Sequence, residues 1–238
     1  MPSEDGKTRA NMTQSTTQAQ SLSITEARPS DIESLSTILA RGFHPSNPYI
    51  KRCYPDTPAV RQWWARIFTD LLTNPDCHVL TALRTEPNSP SFPPYAAGVL
   101  ILRLLSADER GAGFWTAFPM TPDHDVPACT EMINGMVKAR EKMMLGKTHF
   151  VIEMFSVESA MQRSGVGSRM MKRACEIADE AGSETFVQAN HFARRFYERF
   201  GFVCRETKTL PGDEGYVECM LVRPVGIKKQ IEDLLQQG

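Results

Sequence analysis

The sequence predicts an α+β fold in which helices flank one central mixed sheet. Three observations carry that expectation. Residues 149–189 alternate strand, Gly-bearing turn, helix and strand, which is a parallel βαβ unit. Two apolar runs before it, CHVLTALR and YAAGVLILRLL, are separated by the Pro-rich EPNSPSFPP and read as a hairpin with a long loop. Two further strand-like runs, FVCRETKT and GYVECMLVR, close the chain as an antiparallel pair.

The remaining elements follow in order. Residues 1–21 are rich in Thr, Gln and Ser, too polar to offset their ordering entropy, and are expected to form a disordered tail. Leu22, Ile24 and Thr25 suggest a short strand, and Ser30 or Asp31 caps a helix carrying Ile32, Leu35, Ile38, Leu39 and Phe43 at helical spacing, with Gly42 at its end. The Pro- and Asn-containing stretch HPSNPYIKRCYPDTP reads as a loop before a second helix around 59–72, whose apolar side holds Trp63, Trp64, Ile67, Phe68 and Leu71. Residues 106–148 read as an insertion with the aromatic segment GFWTAFPM and a helix, TEMINGMVKAREKMM, whose methionine stripe suits core packing. After the βαβ unit, HFARRFYERFG reads as a helix, and residues 225–238 as a tail or short helix.

Bulk properties narrow the function. A chain of 238 residues, 41% apolar and 23% charged, suits one compact domain with tails. A formal net charge of −1 offers no global pull toward nucleic acid or an anionic membrane, so neither is an expected partner. No apolar run reaches the ~20 residues needed to span a bilayer, and the polar N-terminus with Glu4 and Asp5 has no signal-peptide core. The six cysteines are scattered without metal-ligand spacing, which predicts no metal and a reducing, cytoplasmic setting.

The informative segment is Gln162-Arg163-Ser164-Gly165-Val166-Gly167-Ser168-Arg169, between an apolar strand and an amphipathic helix. Its glycines permit close ligand approach, and a helix N-terminus presents unpaired amides and a positive dipole end to an anion. Arg163, Arg169, Lys172 and Arg173 crowd the start of this helix while Glu176, Asp179 and Glu180 lie toward its end. That order opposes the dipole by ~0.3–1 kcal/mol per exposed charge, and a bound polyanion would reverse the sign for the basic half. Screening by salt is the alternative account of these charges. A Walker loop would need Lys and Ser or Thr after its second glycine, where Ser168-Arg169 stands, and a Rossmann fingerprint would need glycine at Met170.

Q-x-x-G-x-G at 162–167, followed by Asn190-x-x-Ala193-x-x-x-Tyr197-Glu198-x-x-Gly201-Phe202, resembles the two signature blocks of the GNAT acetyltransferase superfamily. The resemblance spans about residues 22–224 and is strongest to the puromycin N-acetyltransferase-like branch. The family often has proline three residues before the loop glutamine, where this chain has Ser159. The resemblance implies a GNAT fold whose sheet splays at the cofactor site, with acetyl-CoA as cosubstrate. Its loop positions map to Gln162, Arg163, Ser164, Gly165, Val166, Gly167 and Ser168, its splayed-strand amides to Phe155, Ser156 and Val157, and its pantetheine-side asparagine to Asn190. Asn190 also fits a helix N-cap. Tyr197 takes the place of the family's usual acid for the leaving thiolate. A hydrogen bond to that sulfur is the more defensible role, because full transfer from a phenol is uphill by ~1.5 pKa units.

Amine acylation also needs a base, since an alkylamine with a pKa of about 10.4 is roughly a thousandfold under-deprotonated at pH 7. Glu153, the only charge in VIEMFSV, is the candidate: strand alternation groups it with Val151, Phe155 and Val157, where desolvation would raise its pKa. Pairing with an arginine, or exposure, is the competing account. The acceptor is expected to be a small-molecule amine, with the loop residues 44–48, Tyr49, Phe114, Trp115 and Phe118 as candidate walls and Asp108, Glu109, Asp123 and Asp125 as candidate attractors of its charge. A protein lysine or N-terminal acetyltransferase and a non-catalytic CoA sensor are the alternatives, and the chain is expected to be a monomer or homodimer.

Overall fold

The computed structural model describes residues 21–42, 48–85, 94–210 and 215–226. The expectations for residues 1–20, for 43–47, for most of the 86–94 turn and for the tail beyond 226 lie outside the described residues.

Seven strands form one sheet: β1 (Ser21–Glu26), β2 (Cys77–Thr85), β3 (Tyr95–Leu105), β4 (His149–Val157), β5 (Glu184–Asn190), β6 (Val203–Thr209) and β7 (Val217–Arg223). Their order is β1-β2-β3-β4-β5-β7-β6; only β4 and β5 pair in parallel. The crossover between them is α5 (Val166–Glu180), as a parallel connection requires. The mixed sheet with flanking helices is the architecture that the sequence predicts.

Two cores lie on the two faces. On one, α1 (Ile32–Gly42), α2 (Pro48–Cys53), α3 (Pro58–Leu71) and α4 (Val126–Met144) cover Val99, Ile101, Val151, Met154, Phe186 and Met220. On the other, α5 and α6 (Arg194–Glu198) cover Leu100, Leu102, Ile152, Val187 and Leu221. The alternation of β3 explains the split, since odd positions from Val99 to Leu105 face one core and even positions the other.

Caps fix where the helices begin. Thr57 accepts the Val60 amide and Pro58 opens α3, while Asp125 accepts the Ala128 amide at the start of α4. Residues 48–53 depart from the loop expected there. Pro48 opens a short helix that buries Tyr49, Ile50 and Cys53, and the Tyr49 hydroxyl donates to the Ala128 carbonyl of α4 at 2.9 Å. α6 is shorter than the expected helix, because residues 191–193 are turn.

Candidate active site

The site opens where the sheet divides. β4 and β5 pair only from His149↔Glu184 to Ile152↔Val187, although β4 runs on to Val157 and β5 to Asn190. Beyond that point β4 stays with β3 and β5 stays with β7. A bulge marks the parting: Ile101 faces Met154 and Leu102 faces Ile152, so Glu153 is the extra residue. A bulge bends its strand and sharpens the twist, which carries β4 away from β5. The Glu158 amide donates to the Ala97 carbonyl of β3, and amides alternate along a strand. The Ser156 amide therefore also faces β3, while those of Phe155 and Val157 face the gap. The Ser156 side chain points elsewhere again, donating to the Ile38 carbonyl of α1 at 3.1 Å.

From β4 the chain turns through a 3-10 segment, Ser159–Met161, at the place where the family often has proline, and enters the glycine loop. The Gln162 side chain donates to the Val157 carbonyl at 3.2 Å and the Ser164 hydroxyl to the Met161 carbonyl at 2.6 Å, so both fasten the loop. Arg163 and Gly165 have φ of 62° and 88°. Open space surrounds the position a Cβ on Gly165 would take, so backbone conformation, and not crowding, favours glycine there. The Arg169 amide donates to the Gly165 carbonyl, leaving the Val166, Gly167 and Ser168 amides without acceptors inside α5. Of the basic residues nearby, Lys172 and Arg173 pair with acidic residues on α5 itself, whereas Arg163 and Arg169 make no ion pair among the described residues. Free amides, a dipole end and two uncommitted guanidinium groups suit a polyphosphate.

A cavity of about 810 Å³ joins this loop, through the gap, to the opposite face of the sheet. On the α5 side it meets Tyr197, buried and packed edge-on against Phe196 and Phe202. Burial raises the Tyr197 pKa above the ordinary tyrosine value, which keeps its proton in place. Asn190 accepts the Ala193 amide at 2.9 Å and so caps the turn into α6, the role its position suggests. On the other side the cavity is walled by Tyr54, Trp115 and Tyr216 and roofed by Met132, Ile133 and Met136 of α4. Two buried carboxylates stand there, Glu153 and Glu218.

The two differ in what they touch. Glu153 Oε1 accepts from Arg103 at 2.7 and 2.8 Å, and its Oε2 accepts from the Trp115 indole at 2.8 Å. Glu218 has Gln188 beside it, which favours its charged form, but its Oε2 has no partner, and burial pushes its pKa up to about 7.

These features are those of a coenzyme A-dependent acyltransferase, and a profile of the Acetyltransferase (GNAT) family matches residues 57–202. The chain belongs to the GNAT acetyltransferase family. It is an acetyl-CoA-dependent acetyltransferase. Solved structures share the GNAT fold at low identity. Mosquito arylalkylamine N-acetyltransferase like 5b aligns at 14% identity with a TM-score of 0.60, over 85% of this chain and 99% of its own. Arylalkylamine N-acetyltransferase 2 from Aedes aegypti aligns at 12% with a TM-score of 0.61, over 86% and 99%. Arabidopsis thaliana NAA60 in complex with acetyl-CoA aligns at 13% with a TM-score of 0.52, over 85% and 97%. No curated protein sequence matches the chain.

Within this GNAT frame, Gln162, Arg163, Gly165, Gly167 and Ser168 of the sequence-derived loop, Phe155 to Val157, Asn190, Tyr197 and Glu153 border this cavity, whereas the side chains of Ser164 and Val166 do not. Three readings change. The Ser156 amide, expected at the gap, faces β3 instead. The bulge breaks the expected alternation, so Glu153 shares its face with Val151 and Met154, while Phe155 and Val157 face the α5 side. Three of the four acidic residues named in the insertion are engaged structurally: Glu109 binds Arg103, Asp123 binds Thr57, and Asp125 caps α4 and pairs with Arg52. Glu218 was not foreseen. It is the lone charge in YVECMLV, the same signal that singles out Glu153, and that pattern would have found it. Among the described residues, no His, Cys, Asp or Glu group is placed to hold a metal ion, and no helix is long and apolar enough to cross a membrane.

Proposed function

We propose that this enzyme transfers the acetyl group of acetyl-CoA to the amine of a small molecule with an apolar body. One observation carries the reading: beyond the sheet gap, the cavity ends in a chamber of Tyr54, Trp115 and Tyr216 under the methionines of α4. Such a chamber suits a compact apolar ligand, whereas a polypeptide acceptor calls for an open groove. We take residues 22–224 as the catalytic unit and 106–148 as an insertion that shapes the acceptor chamber. The blocks at 162–167 and 190–202, with the Met220-bearing last strand, support placing the chain near the puromycin N-acetyltransferase-like branch.

In this reading acetyl-CoA supplies the activated thioester. The Val166, Gly167 and Ser168 amides, fastened by Gln162 and Ser164 and flanked by Arg163, hold its diphosphate, with Gly165 setting the turn. The Phe155 and Val157 amides face the gap where the acyl group reacts, and fixed backbone donors of this kind supply about 3 kcal/mol toward an oxyanion. Ser156 positions β4 against α1. Tyr197, held protonated by burial, donates a hydrogen bond to the departing sulfur, and Asn190 shapes the turn that presents it.

The test is thiol release from acetyl-CoA across a panel of aliphatic, arylalkyl and aromatic amines, with lysine peptides and N-terminal peptides alongside. Turnover with small amines at least tenfold above any peptide supports the proposal. Turnover confined to peptides overturns it in favour of a protein acetyltransferase. Coenzyme binding without turnover on any acceptor favours a sensor.

A further inference from the structure

We propose that Glu218 of β7, with Gln188 of β5 beside it, seats the acceptor's ammonium group and takes its first proton. The inference rests on the acyl-transfer reading above and names the group that starts it.

Geometry places both side chains on the acceptor side of the sheet. Glu218 lies opposite Asn190 in the β5–β7 ladder and Gln188 opposite Met220, so all four share the face that carries α4 and the aromatic wall. Glu218 is 1% exposed, borders the cavity, and leaves Oε2 without a partner; the Gln188 Oε1 is likewise buried and unpartnered. A buried acceptor left unmade costs ~1–3 kcal/mol, and two side by side mark a place made for a donor. A protonated primary amine brings three N–H donors and is the natural complement. Glu153 offers no such vacancy, because Arg103 and Trp115 already claim both of its oxygens.

The surroundings leave Glu218 without a counter-ion of its own. Lys208 of β6 and Glu131 of α4 face it but bind each other at 2.7 Å. Among the described residues, the phenols of Tyr49 and Tyr54 also face it, and Tyr216 lies two residues before it, just ahead of β7. Burial therefore dominates and brings its pKa to about 7, a value suited to accepting a proton near neutrality.

The step balances. Glu218 takes one proton from the ammonium, freeing the nitrogen lone pair. The nitrogen bonds to the thioester carbon and the carbon–sulfur bond breaks. The second N–H proton goes to the sulfur. The products are the amide, coenzyme A thiol and protonated Glu218, which returns its proton to solvent.

The experiment measures kcat/KM against pH with two primary amines that the full-length enzyme acetylates and whose own pKa values differ by about two units. The expected profile has an ascending limb near pH 7 common to both amines, and a descending limb that follows each amine's pKa. Glu218→Gln removes the ascending limb and lowers kcat/KM by roughly 10²-fold or more, while acetyl-CoA still binds. An ascending limb that moves with the amine overturns the proposal, as does a Glu218→Gln enzyme that keeps both rate and limb. Should that variant lose acetyl-CoA binding, the two-amine profile of the unaltered enzyme decides alone. Absence of turnover with every amine, while acetyl-CoA binds normally, instead fails the function on which the proposal rests and takes the proposal with it.

Discussion

The two ends of the cavity are built from different materials. The end proposed to hold the coenzyme is made mainly of main chain: a left-handed Gly165, three amides at the start of α5 and the parted edge of β4. The acceptor end is made of side chains drawn from distant parts of the chain: Tyr54 after α2, Trp115 and Met136 from residues 106–148, Gln188 from β5, Tyr216 and Glu218 near the C-terminus. Main-chain sites tolerate drift in most side chains and keep one ligand. Side-chain sites can change their ligand without disturbing the fold. The same contrast separates the two glutamates. Glu153 is locked into an arginine and an indole and joins β3, β4 and the insertion, whereas Glu218 keeps one buried oxygen without a partner.

Several experiments would break or sharpen that contrast. The largest effect is expected for Glu153→Gln, which leaves Arg103 buried with Glu109 as its remaining acidic partner. Breaking one side of a buried pair costs about 3–5 kcal/mol, equivalent to a melting temperature lower by roughly 6–20 °C for a domain of this size. Calorimetry checks this, and a variant as stable as the unaltered protein would remove Glu153 from its joining role. Next, Gly165→Asp places a negative charge where the diphosphate is proposed to sit. One like charge a few ångströms away costs a few kcal/mol at an effective dielectric constant near 20, so KM for acetyl-CoA should rise by roughly a hundredfold. Gly165→Asn tolerates the same φ without the charge and should change KM far less. Equal effects from both variants would mean that backbone strain, and not the diphosphate, explains the glycine.

Tyr197→Phe should lower kcat by about tenfold, the value of one neutral hydrogen bond made late in the reaction, with little change in either KM. Trp115→Phe should raise KM for the amine severalfold and leave KM for acetyl-CoA alone. A matching rise in both would deny that the two ends are separate. The pH response of stability gives a readout free of catalysis. The pKa of Glu218 is raised by folding, so its contribution is full below about pH 4.5 and is lost as pH rises through about 7. Glu218→Gln should flatten that part of the stability curve, measured by denaturant unfolding.

Legibility in the sequence followed the same division. Strand β4 could be read as HFVIEMFSV because a run buried on both faces is mostly apolar, and the glycine loop could be read because its geometry is local. The insertion's helix was legible from its spacing, although it begins earlier, at Val126, where Asp125 caps it. α2 was hidden because six residues after a proline carry too little periodicity, and its helix is fixed by burying Tyr49 against Tyr216, far away in the chain. The face of Glu153 was misjudged because a bulge is a property of two strands, and its register with β3 is not written in β4 alone. The unpartnered oxygen of Glu218 is likewise a fact about its neighbours.

The most direct measurement is a crystal structure of the enzyme with coenzyme A bound. The account predicts diphosphate oxygens within hydrogen-bonding distance of the Val166, Gly167 and Ser168 amides, with the thiol reaching the gap between β4 and β5. A diphosphate bound elsewhere, or those three amides taken up by protein groups, would contradict it.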